Sequence, residues 1–253
     1  MSMSGSVVAT LAPLIGLVVG SFVNLVAQRL PEGRSVAWAR SRADCCEAVL
    51  SPRELIPVIS WLIQRGRCRR CGSRLTVRHP LVELAGSGVG VWAALTSATL
   101  PELVFTTLLG WQLLLIALVD ADELWLPDQL TFPLLASGLV AAVWLPDRTL
   151  LEASLGVALG FTALWTIAGI YRRLRARDGL GGGDPILFGS VGAWVGWSGL
   201  PSVLLWASAA GLCWVLARRL AGRAVGPDEP LPFGPFIVAG GWLTWLYGPI
   251  GLG

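Results

Sequence analysis

The sequence predicts an all-α membrane protein that crosses the bilayer about eight times and carries a small polar insert after its first helix. Three observations predict it. Mean hydropathy is +0.67. Of the 253 residues, 54% are hydrophobic and 14% are charged, a balance that excludes an ordinary soluble domain. Apolar windows long enough to span recur between short polar or Pro/Gly breaks, and all 19 basic residues are arginines placed almost entirely to one side of those windows.

The first window, residues 7–27, follows a start without any basic residue and exceeds the apolar core of a secretory signal, so we read it as an uncleaved span. Residues 28–79 form a polar insert that holds most of the cysteines. The windows at 80–98, 103–119, 129–145, 153–171, 185–198, 202–217 and 232–249 make a seven-helix membrane domain over 80–253, in which 185–198 is the shortest. Gly16 and Gly20, Gly156 and Gly160, and Gly192 and Gly196 are GxxxG pairs. Such pairs let helices approach where lipid offers no hydrophobic drive, although a chain with 31 glycines also produces them by composition.

Arginine placement predicts orientation. Eleven lie from Arg29 to Arg78, Arg172, Arg173, Arg175 and Arg177 follow the fifth window, and Arg218, Arg219 and Arg223 follow the seventh. Only Arg148 is left for the other side. The positive-inside rule then makes the amino terminus and the loops near 99–102, 146–152 and 199–201 external, and the insert cytoplasmic. The net charge of +3 calls for no nucleic-acid partner, because arginine beside a membrane serves insertion and anionic lipid.

Two acidic segments carry the candidate chemistry. Asp120 opens Asp120-Ala121-Asp122-Glu123-Leu124-Trp125-Leu126-Pro127-Asp128, and Asp184 closes Gly181-Gly182-Gly183-Asp184 before Pro185 and another apolar run. Ionised carboxylates cost roughly 2.5 to 3.5 kcal/mol at bilayer depth, so these lie at the interface or in a hydrated cleft. Asp122, Glu123 and Asp128 read as a solvated turn, with Asp128 capping the next helix. Asp184 is open to two readings: a helix cap, or a functional acid reached through a glycine run that permits close approach and unusual dihedrals. The predicted topology puts Asp120 and Asp184 on one side. Two carboxyls meeting there would share a proton, one acting as acid while the other polarises a water, which is the arrangement of an aspartyl protease. A single histidine, His79, leaves almost no material for histidine-based catalysis.

Six blocks in order resemble a known family. They are Gly20–Val26 with Arg29–Pro31, Glu54–Leu62, Arg65–Gly72, His79–Leu84, the Asp120 and Asp184 segments, and Pro232–Phe236. The chain resembles the type IV prepilin peptidases, intramembrane aspartyl proteases of the bacterial inner membrane that carry a GxGD motif. The resemblance implies that Asp120, seven residues before Pro127, and Asp184 are the catalytic pair, and that proteolysis needs no cofactor. It implies as substrate a prepilin, or a pseudopilin of type II secretion, cleaved between a basic leader and a hydrophobic helix. Many members also methylate the new amino terminus with S-adenosylmethionine, an activity tied to two CxxC pairs in the insert.

Here Cys68-Arg69-Arg70-Cys71 is intact, whereas the first pair reads Ala43-Asp44-Cys45-Cys46. Cys45, Cys46, Cys68 and Cys71 are therefore candidate structural zinc ligands with one ligand missing or displaced, Asp44 or water being able to complete the set. Adjacent cysteines are not expected to point easily at one ion, and reduced thiols in a packed insert are the other reading. Ile186 stands where the family usually has a lysine, and the chain has no lysine to replace it, so the arginines at 172–177 are the nearby source of charge. Glu83 matches a family position and also reads as an interfacial acid at a helix start. Cys213 is expected in the core, and the 13 tryptophans as anchors and packing. Two other classes fit the acidic clusters: a metal-dependent prenyl or phospholipid transferase using Asp120, Asp122 and Asp128, and a proton-coupled transporter using Asp120 and Asp184.

Overall fold

The computed structural model describes residues 3–36, 41–43, 45–175, 181–222 and 231–251. Among these residues the regular structure is helical, as lipid demands of a backbone that must satisfy itself. The helices are α1 (Met3–Arg29), α2 (Ile59–Ile63), α3 (Arg78–Thr96), α4 (Leu100–Glu123), α5 (Asp128–Trp144), α6 (Leu150–Arg175), α7 (Asp184–Leu220) and α8 (Gly234–Tyr247). A 3₁₀ turn at Pro52–Leu55 and two isolated β-bridges, Arg42 with Val49 and Arg67 with Arg74, shape the insert.

The expectation of about eight spans is met only in part. Among the described residues four helices are long and apolar enough to cross a membrane: Thr10–Arg29 of α1, then α4, α6 and α7. The others fall short for separate reasons. α5 is apolar but has 17 residues, and α8 has 14, below the roughly 20 a span needs. α3 carries Arg78, His79 and Glu83 in its first turns. The windows 185–198 and 202–217 are joined in the single 37-residue α7. A straight helix of that length would measure about 55 Å against a hydrocarbon core of about 30 Å. It is broken instead at Gly196, where φ is 72° and ψ is 173°. The break thus precedes the loop expected at 199–201, and Pro201 lies inside the helix five residues beyond it.

The chain divides into two compact units, Met1–Leu115 and Ile116–Gly253, with the boundary inside α4. In the first unit α1 runs antiparallel to α3, and a side chain at Gly16, Gly20 or Gly90 would strike the backbone of Gly86, Val82 and Glu83, or Ala12. Trp111 adds the first half of α4 by donating from Nε1 to the Gly86 carbonyl at 3.0 Å.

In the second unit α7 is the central helix, packed by α5, α6 and α8. Gly156 meets Gly192, Gly160 meets Phe188 and Gly189, Gly240 meets Val203, and Gly241 meets Val191. Backbones this close gain dispersion contacts along their length, which is what holds helices together in lipid. The third glycine pair is split in use: Gly192 is a contact, while Gly196 is the break.

Arg148, in the turn between α5 and α6, is a structural clamp. Its Nη1 donates to the Trp194 carbonyl, which lies just before the break, and its guanidinium stacks 4.0 Å from the Trp245 ring centroid. A cation at a helix end left open by a kink is well placed for the local dipole. Burial pulls the guanidinium down to about 10, still charged at neutral pH. Cys213 departs from expectation, being exposed on α7 rather than in the core. A small apolar thiol is as stable against lipid as inside protein.

Glycine contacts and glycine composition can be told apart by substitution. Gly156→Ala should lower stability by about 1–3 kcal/mol through overpacking against Gly192. Gly169→Ala, with nothing near its Cβ, should be neutral or gain up to about 1 kcal/mol from helix propensity. Thermal unfolding of the two variants in the same detergent checks both.

Candidate active site

Asp120 lies in the last turn of α4, which closes at Leu124. Leu124 adopts φ 53°, and its N–H donates to the Asp120 carbonyl at 2.9 Å, so the helix ends on a left-handed residue that is not glycine. Such a residue costs roughly 1–2 kcal/mol. It turns Trp125 and Leu126 back toward the aspartate. The Asp120 side chain is buried, and Oδ2 accepts from the Gly234 N–H at 3.0 Å. Gly234 opens α8, so the amide that orients Asp120 belongs to the positive end of a 14-residue helix. A Cβ at Gly234 would sit 2.5 Å from that Oδ2.

Asp184 is the first residue of α7, with Gly183 as its cap and Pro185 following. Its own carboxyl turns back: Oδ2 accepts from the Gly181 N–H at 2.8 Å. The side chain is buried, at 3% exposure, where an unsatisfied carboxyl would be untenable. Within the glycine run, Gly183 is needed for space and not for its dihedrals. Gly183 has an ordinary φ of −84°, and none of Gly181, Gly182 and Gly183 has a positive φ. A Cβ at Gly183 would lie 2.5 Å from the Leu126 Cβ, so this glycine lets the loop after α4 touch the loop before α7.

Both aspartates line one cavity of about 580 Å³, together with Asp128, Gly181, Gly182 and Gly183. Its apolar wall comes from Leu124, Trp125, Leu126, Ile186, Leu231 and Phe233. Asp122 and Glu123 are exposed and outside this lining, so the three carboxyls Asp120, Asp122 and Asp128 do not gather round one point. Asp128 is the first residue of α5 rather than its cap, a place taken by Pro127. Among the described lining residues none is basic. Arg172, Arg173 and Arg175 end α6 in exposed positions, and Arg177 lies outside the described residues.

In the insert, the thiols of Cys45, Cys46, Cys68 and Cys71 lie within 4.8 Å of one another. A tetrahedral zinc with bonds of about 2.3 Å separates its sulfurs by about 3.8 Å. The cluster fits: Cys46 to Cys68 is 3.9 Å, Cys45 to Cys46 is 3.9 Å and Cys45 to Cys71 is 3.3 Å. Two adjacent cysteines therefore do converge on one point, contrary to the expectation from their adjacency. The reason is local. Ala43 is buried and its carbonyl accepts from the N–H groups of Cys46 and Glu47, while Glu47 takes φ 54°, a turn tight enough to bring both thiols forward. Cys45 thus brings a fourth thiol to the cluster although position 43 is alanine, and Asp44 lies outside the described residues. Ser73, through its hydroxyl 3.2 Å away and its amide, holds the Cys71 thiol down to about 6, while the hydrogen bond with Cys71 pushes the Cys45 thiol up to about 12, as close thiols divide their protons unequally.

Residues 14–97 match the model of the bacterial peptidase A24 N-terminal domain, and residues 107–216 match that of the type IV leader peptidase family. A prepilin leader peptidase/N-methyltransferase from Burkholderia pseudomallei is 36% identical, over 94% of this chain and 84% of its own length. Proteins of the same description from Aeromonas hydrophila and Dichelobacter nodosus are 34% and 33% identical, each over 93% of this chain and 89% and 90% of theirs. The chain belongs to the type IV leader peptidase family. No solved structure matches it. Its long apolar helices together with this bacterial family support a multi-pass location in the inner membrane.

Two further polar groups in this chain lie outside the aspartate cavity. Glu83 is buried in α3, where its Oε2 accepts from the Val58 N–H at 2.6 Å. Val58 takes φ 59° and ψ −51°, and the Ile59 N–H donates to the Pro57 carbonyl at 2.5 Å, a γ-turn that a β-branched residue adopts only under constraint. Glu83 is that constraint. His79 Nδ1 lies 2.7 Å from Asn24 Nδ2, and Arg78 Nε donates to Asn24 Oδ1 at 3.0 Å. Because Arg78 can only donate, Asn24 must present its NH₂ to His79, which fixes Nδ1 as an acceptor and puts the neutral ring's proton on Nε2.

The residues that sequence reasoning missed are Gly234 and Leu126. Their block and segment were visible, but the Gly234–Asp120 pairing spans 114 residues and is a backbone contact with no side-chain signature. The Glu83 latch is checked by hydrogen exchange. Glu83→Ala should speed exchange of the Val58 amide about ten- to hundredfold, as expected for losing a charge-assisted bond, and Glu83→Gln should have a smaller effect.

Proposed function

We propose that the chain is a membrane aspartyl endopeptidase that removes the leader of type IV prepilins or type II secretion pseudopilins, with Asp120 and Asp184 as the catalytic pair. The observation that carries this reading is their common lining of one cavity, each carboxyl oriented by a glycine amide. One carboxyl, ionised, takes a proton from a water as its oxygen attacks the scissile carbonyl carbon; the other gives its proton to the carbonyl oxygen. Collapse of the tetrahedral intermediate breaks the C–N bond, and the amine leaves with the proton first taken from water. The apolar wall beside three acids and no described base suits a substrate whose basic leader gives way to a hydrophobic helix.

The arginine distribution supports an external amino terminus and a site at the cytoplasmic face. On this reading residues 1–27 are the first span, 28–79 the cytoplasmic insert and 80–253 the domain that bears the proteolytic site. Cys45, Cys46, Cys68 and Cys71 would hold a structural zinc, which supplies cross-linking of two short loops that have little core of their own. Methylation of the new amino terminus would use S-adenosylmethionine, which supplies an electrophilic methyl group. A cavity of about 510 Å³ between the end of α1 and the insert has the size and mixed charge for it, with Glu32 and Glu47 suited to its cationic groups and Arg29 and Arg42 to its carboxylate.

Mass spectrometry of a prepilin incubated with the purified enzyme, with and without S-adenosylmethionine, reads leader loss and methyl gain separately. Asp120→Asn and Asp184→Asn should each reduce cleavage about 10²–10⁴-fold while the protein stays folded. Gly234→Ala, which pushes on Asp120, should cost about a hundredfold. Full cleavage by Asp184→Ala ends the assignment. Metal analysis of the purified chain should find one zinc per molecule, lost together with insert protection from proteolysis in Cys68→Ser.

A further inference from the structure

We propose that the outward face of α2 and the turn before it, formed by Ile56, Ile59, Leu62 and Ile63, lies in the headgroup zone of an anionic phospholipid leaflet, with Arg65, Arg67, Arg69 and Arg70 paired to its phosphates. Ile59, Leu62 and Ile63 follow the i, i+3, i+4 spacing of one helical face, and all three are more than half exposed. Ser60, Trp61 and Gln64 point the other way and line a small internal cavity of about 130 Å³. An insert rich in arginine thus displays an apolar face that its own interior does not use.

That face is held rigidly. Gly66 admits the Trp61 ring, since a Cβ there would lie 2.9 Å from Cζ2, and Arg65 and Gly66 turn the chain back with φ of 50° and 65°. From the other end, the Glu83–Val58 bond fixes the start of α2. Exposed apolar residues that are free to collapse inward carry little meaning, but here both ends of the segment are pinned with the face outward.

Charge complementarity selects the occupant. Arg65, Arg67, Arg69 and Arg70 are exposed and follow α2 directly. Glu54 is held below the usual carboxylate range chiefly by the amide and hydroxyl of Ser51, with a smaller pull from Arg70 and Arg69. Apolar residues flanked by arginines are the composition of segments that lie in a membrane surface. Position agrees, because α1 and α3 are antiparallel and the insert leaves and rejoins them at the same end. A helix tethered there meets lipid before any soluble partner.

The test uses the full chain in nanodiscs of phosphatidylglycerol or of phosphatidylcholine. A benzophenone amino acid is placed at Leu62, at Ile63 or, as an exposed control in the same insert, at Glu47, and photo-adducts are identified by mass. Phospholipid adducts at 62 and 63 should exceed those at 47 by about tenfold or more. They should be richer in phosphatidylglycerol, with the preference falling about fivefold for each of Arg69→Gln and Arg70→Gln. Adducts to peptides of the chain itself, equal yields at all three positions, or no preference for the anionic lipid would overturn the proposal. Hydrogen exchange of the unaltered protein gives an independent reading: amides 59–65 should be more protected in phosphatidylglycerol, and equal exchange in the two lipids also overturns it.

Discussion

A carboxyl buried at the end of an apolar helix has few donors to turn to, and in this peptidase both Asp120 and Asp184 find theirs in glycine amides. The rest of the second unit follows from that constraint. Gly234 must open α8, because any side chain there would displace Asp120, and Gly183 must precede Asp184, because any side chain there would displace Leu126. Three helix ends, of α4, α7 and α8, are thereby brought to one cavity. Backbone amides are well suited to this, since they need no side-chain entropy and point where the helix points.

The same economy of side chains builds the helix packing. Gly156 against Gly192, Gly240 against Val203 and Gly16 against Gly86 are contacts of backbone on backbone. α7 can hold three neighbours because a glycine stands at each contact, Gly192 of α7 against α6, Gly138 of α5 and Gly240 of α8, and Gly196 breaks it into two legs, with Arg148 closing the carbonyl of Trp194 just before the break. A rigid first leg with a glycine-capped start gives the Asp184 carboxyl little freedom to wander.

The insert is organised by different means. Its described residues include no long helix and two isolated bridges, so the thiol cluster and the Glu83 latch carry what packing does not. Small folds without a sufficient core depend on such cross-links. The shifted cysteine illustrates the tolerance of this arrangement: the Cys45 thiol reaches the cluster although position 43 is alanine, because convergence is set by sulfur positions and not by spacing in the chain.

Much of this was legible in the sequence. Composition and the apolar windows determined the helical class, the arginines implied an orientation, and the Asp120 and Asp184 segments stood out because isolated acids beside apolar runs are costly. What the sequence could not decide were contacts without a local signature. Gly234 beside Asp120, Leu124 in a left-handed turn, the fusion of two windows into a kinked α7 and the convergence of adjacent Cys45 and Cys46 each depend on where distant backbone lies. Periodicity and hydropathy report what a segment prefers against lipid or water. Only the tertiary structure says which amide faces which carboxyl, because that is fixed by the close approach of helices far apart in the chain.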